Sequence, residues 1–294
     1  MLAQNTSLDV VYYGFMEKPQ VDLIVVGNIA VQKEDNKRVH TSFTKIGGAG
    51  WYCGVGASLV AKPDTVGVVS TIGADHKELV DILRSIGIHT EGIIVDYDHK
   101  TAQFHVVERE ANRNFSAQLN AAEHMNPHQF PLTYRNATHI HLATNAPQIQ
   151  KEWILYLRKV CRPDASISVD IFESYIQEHV EETRWIIEHA DLLFLNEAER
   201  SILSQESISI PIPYILKQGK KGASYHDKSK KIEIPAQNVI VVSTSGAGDV
   251  LASVFLVKRM QGEDIQKSLQ EAVDAASMSV QGSGVEHLLT TRSS

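Results

Sequence analysis

The most informative part of this sequence is Ser243-Thr-Ser-Gly-Ala-Gly-Asp249. It stands between an apolar run, residues 239–242, that we predict to be a strand, and an apolar-faced segment, residues 247–260, that we predict to be a helix. Small residues at such a junction leave the first backbone N–H groups of the helix unpaired, and the helix dipole attracts negative charge to the same place. The stretch therefore predicts an anion site at residues 246–248.

Asp249 lies within the same predicted helical turn. A carboxylate at that position is placed to accept a proton from a hydroxyl group while the backbone amides hold the developing negative charge. The alternative is a glycine-rich turn in which Asp249 only favours the helix N-terminus, because glycine-rich turns are common. On spacing alone, both interpretations stand.

Strand-like and helical segments alternate on the N-terminal side of this stretch. Strand-like runs occupy residues 21–26, 66–72, 139–143, 166–171, 191–195 and 212–216. Helical apolar spacing marks residues 77–86, 151–160 and 181–189, and another helical segment, residues 264–280, follows the stretch. This alternation predicts an α/β fold with a mostly parallel sheet covered by helices on both faces.

The domain prediction is one α/β domain over residues 1–294, because no fixed-period repeat or Pro-rich linker divides the chain. Two polar ribbons near residues 32–45 and 100–116 are appendages to it. The charged part of the first ribbon, residues 33–38, is expected to be a turn or an exposed hairpin.

Composition narrows the function. The 294 residues are 43% hydrophobic and 21% charged, close to the globular average. Lys and Arg number 28 against 35 Asp and Glu, and this net charge of -7 argues against a nucleic-acid partner without excluding a small anionic ligand. Two cysteines fit a reducing compartment, and no apolar run approaches the ~18 residues of a membrane span. We expect a cytoplasmic protein with no nucleic-acid or membrane partner.

The opening stretch resembles the C-terminal signature, written DTxGAGD, of the ribokinase family of carbohydrate kinases, the phosphofructokinase B (PfkB) type. Four further pieces resemble family motifs and occur in the family's order. They are the sugar-side double glycine in Ile46-Gly47-Gly48, the NxxE motif in Asn196-Glu-Ala-Glu199, the nucleotide loop in Lys217-Gln-Gly-Lys-Lys-Gly222, and the turn Gly282-Ser-Gly284 after the last long helix. The resemblance implies a Rossmann-like core with a small β lid, and ATP- and Mg²⁺-dependent phosphorylation of a hydroxyl on a sugar, polyol or nucleoside.

Site residues follow from the resemblance position by position. It implies Asp249 as the catalytic base and an anion hole formed by Gly246, Ala247 and Gly248. It implies contacts to the nucleotide and its metal from Asn196, Glu199, Lys217, Gly219, Gly222, Thr244 and Gly284, with Glu199 holding Mg²⁺ through water. Asn196 and Glu199 also read as a helix N-cap with a capping-box acid, and both interpretations can hold together.

The substrate side departs from the family pattern. The candidate substrate residues are Asn28, Gln32, Gly47, Gly48 and Tyr52. Gln32 stands at or near the place of an Asp that holds sugar hydroxyls in many members, and Trp51-Tyr52 stands where an Asn often occurs. These changes suggest a substrate other than ribose or fructose, such as a nucleoside or cyclitol that stacks on a ring; both aromatics read equally well as core residues.

Ser243 replaces the first Asp of the signature, a position near a monovalent-cation site in many members, and this places potassium activation in doubt. Two alternatives to a sugar kinase stay open: a nucleoside kinase, and a catalytically idle nucleotide- or sugar-binding protein of the same fold. A homodimer through the lid is also left open.

Overall fold

The computed structural model of the chain describes residues 20–36, 41–108 and 113–290. Its strands are, in chain order, β1 (Leu23–Val26), β2 (Ala30–Asn36), β3 (Thr41–Gly47), β4 (Val66–Gly73), β5 (Ile88–Asp96), β6 (Ala102–Glu108), β7 (Arg113–Gln118), β8 (His139–Leu142), β9 (Ser166–Asp170), β10 (Leu192–Asn196), β11 (Tyr214–Lys217), β12 (Ala223–His226) and β13 (Lys231–Ile234). Its α-helices are α1 (Ala49–Ser58), α2 (Glu78–Ser85), α3 (Pro147–Val160), α4 (Glu173–Glu178), α5 (Val180–His189), α6 (Glu197–Gln205), α7 (Ala247–Met260), α8 (Ile265–Ser279) and α9 (His287–Thr290).

The large sheet has nine strands in the order β13-β12-β11-β10-β9-β8-β1-β4-β5. From β11 to β5 every neighbouring pair is parallel, and β12 and β13 continue the sheet antiparallel. The chain builds outward from β1 to β4 and β5 and then returns to place β8 on the other side of β1. The predicted mostly parallel sheet is confirmed, and its order reverses beside β1, where open α/β sheets bind ligands at the carboxyl ends of their strands.

Helices pack against both faces of the large sheet. One core joins the sheet to α1, α2, α7 and α8 around Trp51, Leu83, Val250 and Phe255. The opposite core joins it to α3, α5 and α6 around Trp153, Ile186 and Leu203. Burial on two faces explains the uninterrupted apolar strand β1, whose four residues are all buried.

A second, smaller sheet has four strands and shares no strand pairing with the nine-stranded one. Its order is β3-β2-β6-β7, with β2 and β6 parallel and the two outer pairs antiparallel. The part of residues 33–38 that the structure describes is therefore strand rather than turn, and Glu34 within it is only 1% exposed. The predicted hairpin is confirmed, since β2 pairs antiparallel with β3. The predicted exposure is wrong for Glu34, because non-local partners, described below, bury this charged side chain.

The helix that follows the signature begins and ends where the sequence predicts, at Ala247 and Met260. The predicted strand before it, residues 239–242, is wrong: this segment is irregular, and Ile240 is 84% exposed. Val239 and Val241 line a cavity, which explains an apolar run outside the sheet. Within the described ranges, no helix combines the length and apolar character needed to cross a membrane.

Candidate active site

Polar side chains collect at the carboxyl edge of the large sheet. Asn28 follows β1, Asn145 follows β8, and the last residues of β9, β10 and β11 are Asp170, Asn196 and Lys217. All five line one or both of two adjoining cavities, of ≈ 840 Å³ and ≈ 510 Å³. Both volumes lie within the usual range of small-molecule sites. The two cavities share a wall made of Asn196, Lys217, Thr244 and Gly248.

The larger cavity gathers the residues predicted for the nucleotide. Asn196, Lys217, Gly219, Gly222 and Thr244 line it, together with an apolar wall made of Val239, Val241, Leu251, Val273, Ala276 and Val280. Gly284 was predicted here and is not part of the lining. It is buried in the turn after α8, where the Glu286 side chain lies against its Cα. This cavity therefore offers an apolar wall at one side and the start of α7 at the other.

The smaller cavity gathers the residues predicted for the substrate and the catalytic Asp. Its lining includes Asn28, Gln32, Gly48, Tyr52 and Asp249. Oδ1 of Asn28 is buried and has no hydrogen-bond partner among the described residues. A buried acceptor of this kind is costly unless a ligand donor satisfies it. The polar part of this cavity is therefore suited to a hydroxyl-bearing ligand.

The double glycine serves this cavity through its backbone. Gly48 has φ +89°, and a Cβ there would collide with the backbone carbonyl of Asn28. Gly50 donates its N–H to the same carbonyl at 2.9 Å, which ties the start of α1 to the end of β1. Gly47 does not line the cavity, contrary to prediction. It lies behind the cavity wall because the side chains of Gln32 and Tyr52 pack against it.

Aromatic side chains form the other end of the smaller cavity. Phe104 of β6 and Phe115 of β7 belong to the small sheet, whereas Phe172 and Tyr175 follow β9 of the large sheet. Neighbouring ring centroids lie 5.3, 5.9 and 5.8 Å apart along this series. Phe115 is 45% exposed, so part of its ring remains accessible beside the cavity. The cavity thus joins a polar end to an aromatic end.

The start of α7 lies where the two cavities meet. Gly246 is the N-cap in the left-handed conformation, with φ 80°, and the face of the Tyr52 ring occupies the space a side chain would need. Ala247 and Gly248 line the larger cavity, and Gly246, Gly248 and Asp249 line the smaller. The N-terminal amides of this 14-residue helix are therefore at the junction, as the sequence predicts for an anion hole.

Burial and two neighbouring charges together shift the pKa of Asp249. Burial and the Asp170 carboxylate raise the pKa of Asp249 to about 7, although the Lys217 ammonium opposes this. Asp170 accepts hydrogen bonds from Nζ of Lys217 at 2.6 and 2.8 Å. Burial lowers the pKa of Lys217, but the Asp170 and Glu199 carboxylates outweigh it, and the net direction is upward. A carboxyl group with a pKa near neutrality is suited to general base catalysis.

Asn196 and Glu199 form the capping box at the start of α6. The Asn196 side chain accepts from the Glu199 N–H at 2.9 Å, and the Glu199 carboxylate accepts from the Asn196 N–H at 2.6 Å. Burial raises the pKa of Glu199 to about 7, with Lys217 opposing and Asp170 adding to the rise. The capping interpretation is therefore correct in geometry, and the same two residues face the cavities.

A buried ion pair holds the loop before α7 from the side of the small sheet. Nζ of Lys45 lies 2.7 Å from Oε2 of Glu34 and donates to Oγ of Ser243 at 2.9 Å. Ser245 donates to the same Glu34 oxygen at 3.0 Å. Ser243, the residue that departs from the signature, therefore contacts an ammonium group of the chain itself.

Several side chains at this site were not anticipated. They are Glu34, Lys45, Phe104, Phe115, Asn145, Asp170, Phe172 and Tyr175. Asp170 carried a usable signal, because it lies near the end of a predicted strand where neighbouring strand ends also carry polar residues. No sequence signal marked the aromatic residues or the ion pair, because their contacts form only when the two sheets come together.

Comparison with known proteins agrees with this geometry. Residues 9–292 match the pfkB family carbohydrate kinase domain, and the chain belongs to that family, whose members are ATP-dependent kinases. The chain is 28% identical to ribokinase of Bacillus subtilis over 261 residues, which covers 86% of this chain and 87% of that protein.

Many solved structures share the fold, including the following two. The nucleoside kinase of Burkholderia thailandensis in complex with inosine has a TM-score of 0.78 at 17% identity and covers 90% of this chain and 92% of that one. A putative ribokinase II from E. coli in complex with ATP and Mg²⁺ has a TM-score of 0.73 at 18% identity and covers 92% and 98%. The predicted family, fold class and kinase activity are confirmed.

Proposed function

We propose that this kinase transfers the γ-phosphoryl group of ATP to a hydroxyl group on the sugar of a nucleoside. The observation that carries the choice of nucleoside is the series of four aromatic rings at one end of the smaller cavity. Aromatic side chains stack on nucleobases, which have a π-face whatever their hydrogen-bonding pattern. A free pentose offers no such face. The polar end of the cavity suits the sugar, with Asn28 supplying a buried acceptor.

The proposed reaction uses the shared wall of the two cavities. ATP occupies the larger cavity, with its base against the apolar wall and its phosphates toward α7. The sugar hydroxyl lies beside Asp249, which accepts its proton as the oxygen attacks the γ-phosphorus. The α7 amides and the Lys217 ammonium, which lies beside Gly248, stabilise the negative charge on the transferred group.

We further propose that the site takes its nucleotide as a magnesium complex. The carboxylates of Asp170, Glu199 and Asp249 lie close to the Lys217 ammonium. The Asp170 charge raises the pKa of both Glu199 and Asp249. Surplus buried negative charge of this kind fits a hydrated divalent cation, which carboxylates hold through oxygen. Asn196 and Glu199 would hold its water, and the bound Mg²⁺ would neutralise phosphate charge.

Release of ADP from ATP tests this proposal. Wild-type protein is supplied with ATP, Mg²⁺ and, in turn, purine and pyrimidine nucleosides, pentoses, hexoses and inositols. We expect ADP release with nucleosides far above the rate with free sugars. Turnover of free sugars alone would show that the substrate is a carbohydrate and not a nucleoside. No turnover with any acceptor would favour a catalytically idle binding protein.

A further inference from the structure

The small sheet reaches the loop before α7 through charged groups that are almost fully buried. Lys45 lies on β3 and Glu34 on β2, and their side chains are 4% and 1% exposed. Lys45 pairs in register with Gln32, two residues from Glu34, so all three side chains share one face of the sheet. That face points at residues 243–246, since hydrogen bonds connect it to Ser243 and Ser245.

Both serines of this loop are held by several bonds. Oγ of Ser243 accepts from Nζ of Lys45 at 2.9 Å and from the Ser245 N–H at 3.2 Å, and it donates to the Glu34 carboxylate at 3.1 Å. Oγ of Ser245 donates to Glu34 at 3.0 Å and accepts from the Gln32 amide at 3.0 Å. A satisfied network of this kind in a dry environment specifies one geometry.

The network continues to the glycine that begins α7. The side-chain amide oxygen of Gln32 accepts a hydrogen bond from the Tyr52 hydroxyl at 3.1 Å, and the Tyr52 ring packs against Gly246. The next three residues of the chain are Ala247, Gly248 and Asp249. The small sheet is thus connected through this network to the turn that carries the anion hole and the base.

We propose that Lys45 and Glu34 are positioning residues for phosphoryl transfer. Their ion pair fixes Ser243 and Ser245, and through them the turn from Gly246 to Asp249, so that the amides and the carboxylate keep their relative positions. The inference rests on the proposed function for its kinetic test and on the fold alone for its second test.

The experiment separates positioning from simple stability. The variant Glu34→Gln/Lys45→Met removes both charges and leaves no uncompensated buried ion, a replacement that proteins often tolerate. The variant Ser243→Ala keeps the ion pair and removes one of its links to the loop. Lys33→Met is the matched control, because Lys33 lies on β2 with 55% of its side chain exposed and pairs only loosely with Asp35 at 3.8 Å.

Three quantities are measured for each variant: the melting temperature, kcat and KM for nucleoside and ATP, and the amide hydrogen exchange of peptides that cover residues 243–249. For the charge-free variant we expect a melting temperature near wild type, kcat lower by about a hundredfold, and KM for ATP within about twofold. Exchange in residues 243–249 becomes faster in this variant and in Ser243→Ala, and stays unchanged in Lys33→Met.

Wild-type kcat and wild-type exchange in a folded charge-free variant would show that the pair is only structural. If that variant does not fold, unchanged exchange and kcat in Ser243→Ala overturn the proposal instead. If the wild-type protein phosphorylates no nucleoside, only the proposed function is excluded. The exchange measurement on the free protein then still decides whether Lys45 and Glu34 hold residues 243–249 in place.

Discussion

At Asp249, opposing effects act on one carboxyl group. Burial and the Asp170 charge raise its pKa to about 7, and Lys217 limits the rise. A base is most effective when its pKa lies near the working pH, because it is then largely deprotonated and still basic enough to accept a proton. The signature identifies the residue in the sequence, whereas its pKa depends on its burial and on Asp170 and Lys217, which lie at the ends of β9 and β11.

The pH dependence of kcat/KM follows from the pKa of Asp249, which is about 7. Only the deprotonated form of Asp249 can accept the hydroxyl proton, so the rate rises as the pH increases and reaches half its maximum near pH 7. The measurement is kcat/KM between pH 5 and 9 at saturating ATP and constant ionic strength. A flat profile through neutrality would mean that another group, or none, accepts the proton.

Replacing the base separates chemistry from stability. Asp249→Asn is expected to lower kcat by about 10²–10⁴ while ATP still binds. Because the folded-state pKa is raised, the wild-type protein loses stability as the pH rises from about 4 through 7, where the unfolded chain releases this proton more readily. The Asp249→Asn variant lacks this pH-dependent loss of stability, and it should therefore melt at a higher temperature than wild type at pH 8. Near-wild-type turnover would remove Asp249 from the mechanism.

Ser243 and Lys45 lead to a prediction about monovalent cations. Ser243 supplies no charge, and the Lys45 ammonium already lies 2.9 Å from its hydroxyl. Potassium should therefore change the rate less than about tenfold, or 1.4 kcal/mol of barrier, when it replaces a large organic cation. Constant ionic strength in this comparison excludes general screening. Much stronger, saturable activation by potassium would show that backbone carbonyls suffice to bind the cation.

Among the elements, α7 and the small sheet show what a sequence can and cannot disclose. The bounds of α7 follow from local apolar spacing and a glycine turn, and both were predicted correctly. The burial of Glu34 on β2 was not predicted, because its partners include Lys45 and Ser243, which are 11 and 209 residues away. Hydrophobic periodicity shows which face of a strand or helix is apolar. It carries no information about contacts with residues that are distant in the sequence.

The first turn of α6 gives the magnesium prediction. Glu199→Gln keeps an acceptor for the capping box and removes the negative charge, so α6 should form normally. We expect a several-fold higher Mg²⁺ concentration at half-maximal rate. Glu197→Gln is the matched control, since Glu197 lies in the same turn, is half exposed and pairs with Lys221. Identical magnesium titrations for wild type and Glu199→Gln would leave Glu199 with a capping role alone.

For the whole molecule, topology explains why the candidate site was largely predictable. The alternating pattern indicates a parallel sheet, and the carboxyl ends of its strands bring together Asn28, Asp170, Asn196 and Lys217. The aromatic end of the smaller cavity was not predictable, because Phe104 and Phe115 belong to one sheet and their partners follow a strand of the other. A homodimer through the small sheet stays a prediction, and its edge strands β3 and β7 are where a second copy would pair.

The specificity ratio between a nucleoside and its free sugar shows whether the aromatic end of the smaller cavity selects a nucleobase. The measurement is kcat/KM for inosine, adenosine and cytidine relative to ribose, in wild type and in Phe104→Ala/Phe115→Ala. Stacking contributes about 1–3 kcal/mol per base, so wild type should favour nucleosides by about ten- to a hundredfold or more, and the double variant should lose most of that preference. An equal or higher kcat/KM for ribose in wild type, or an unchanged ratio in the variant, would contradict the account.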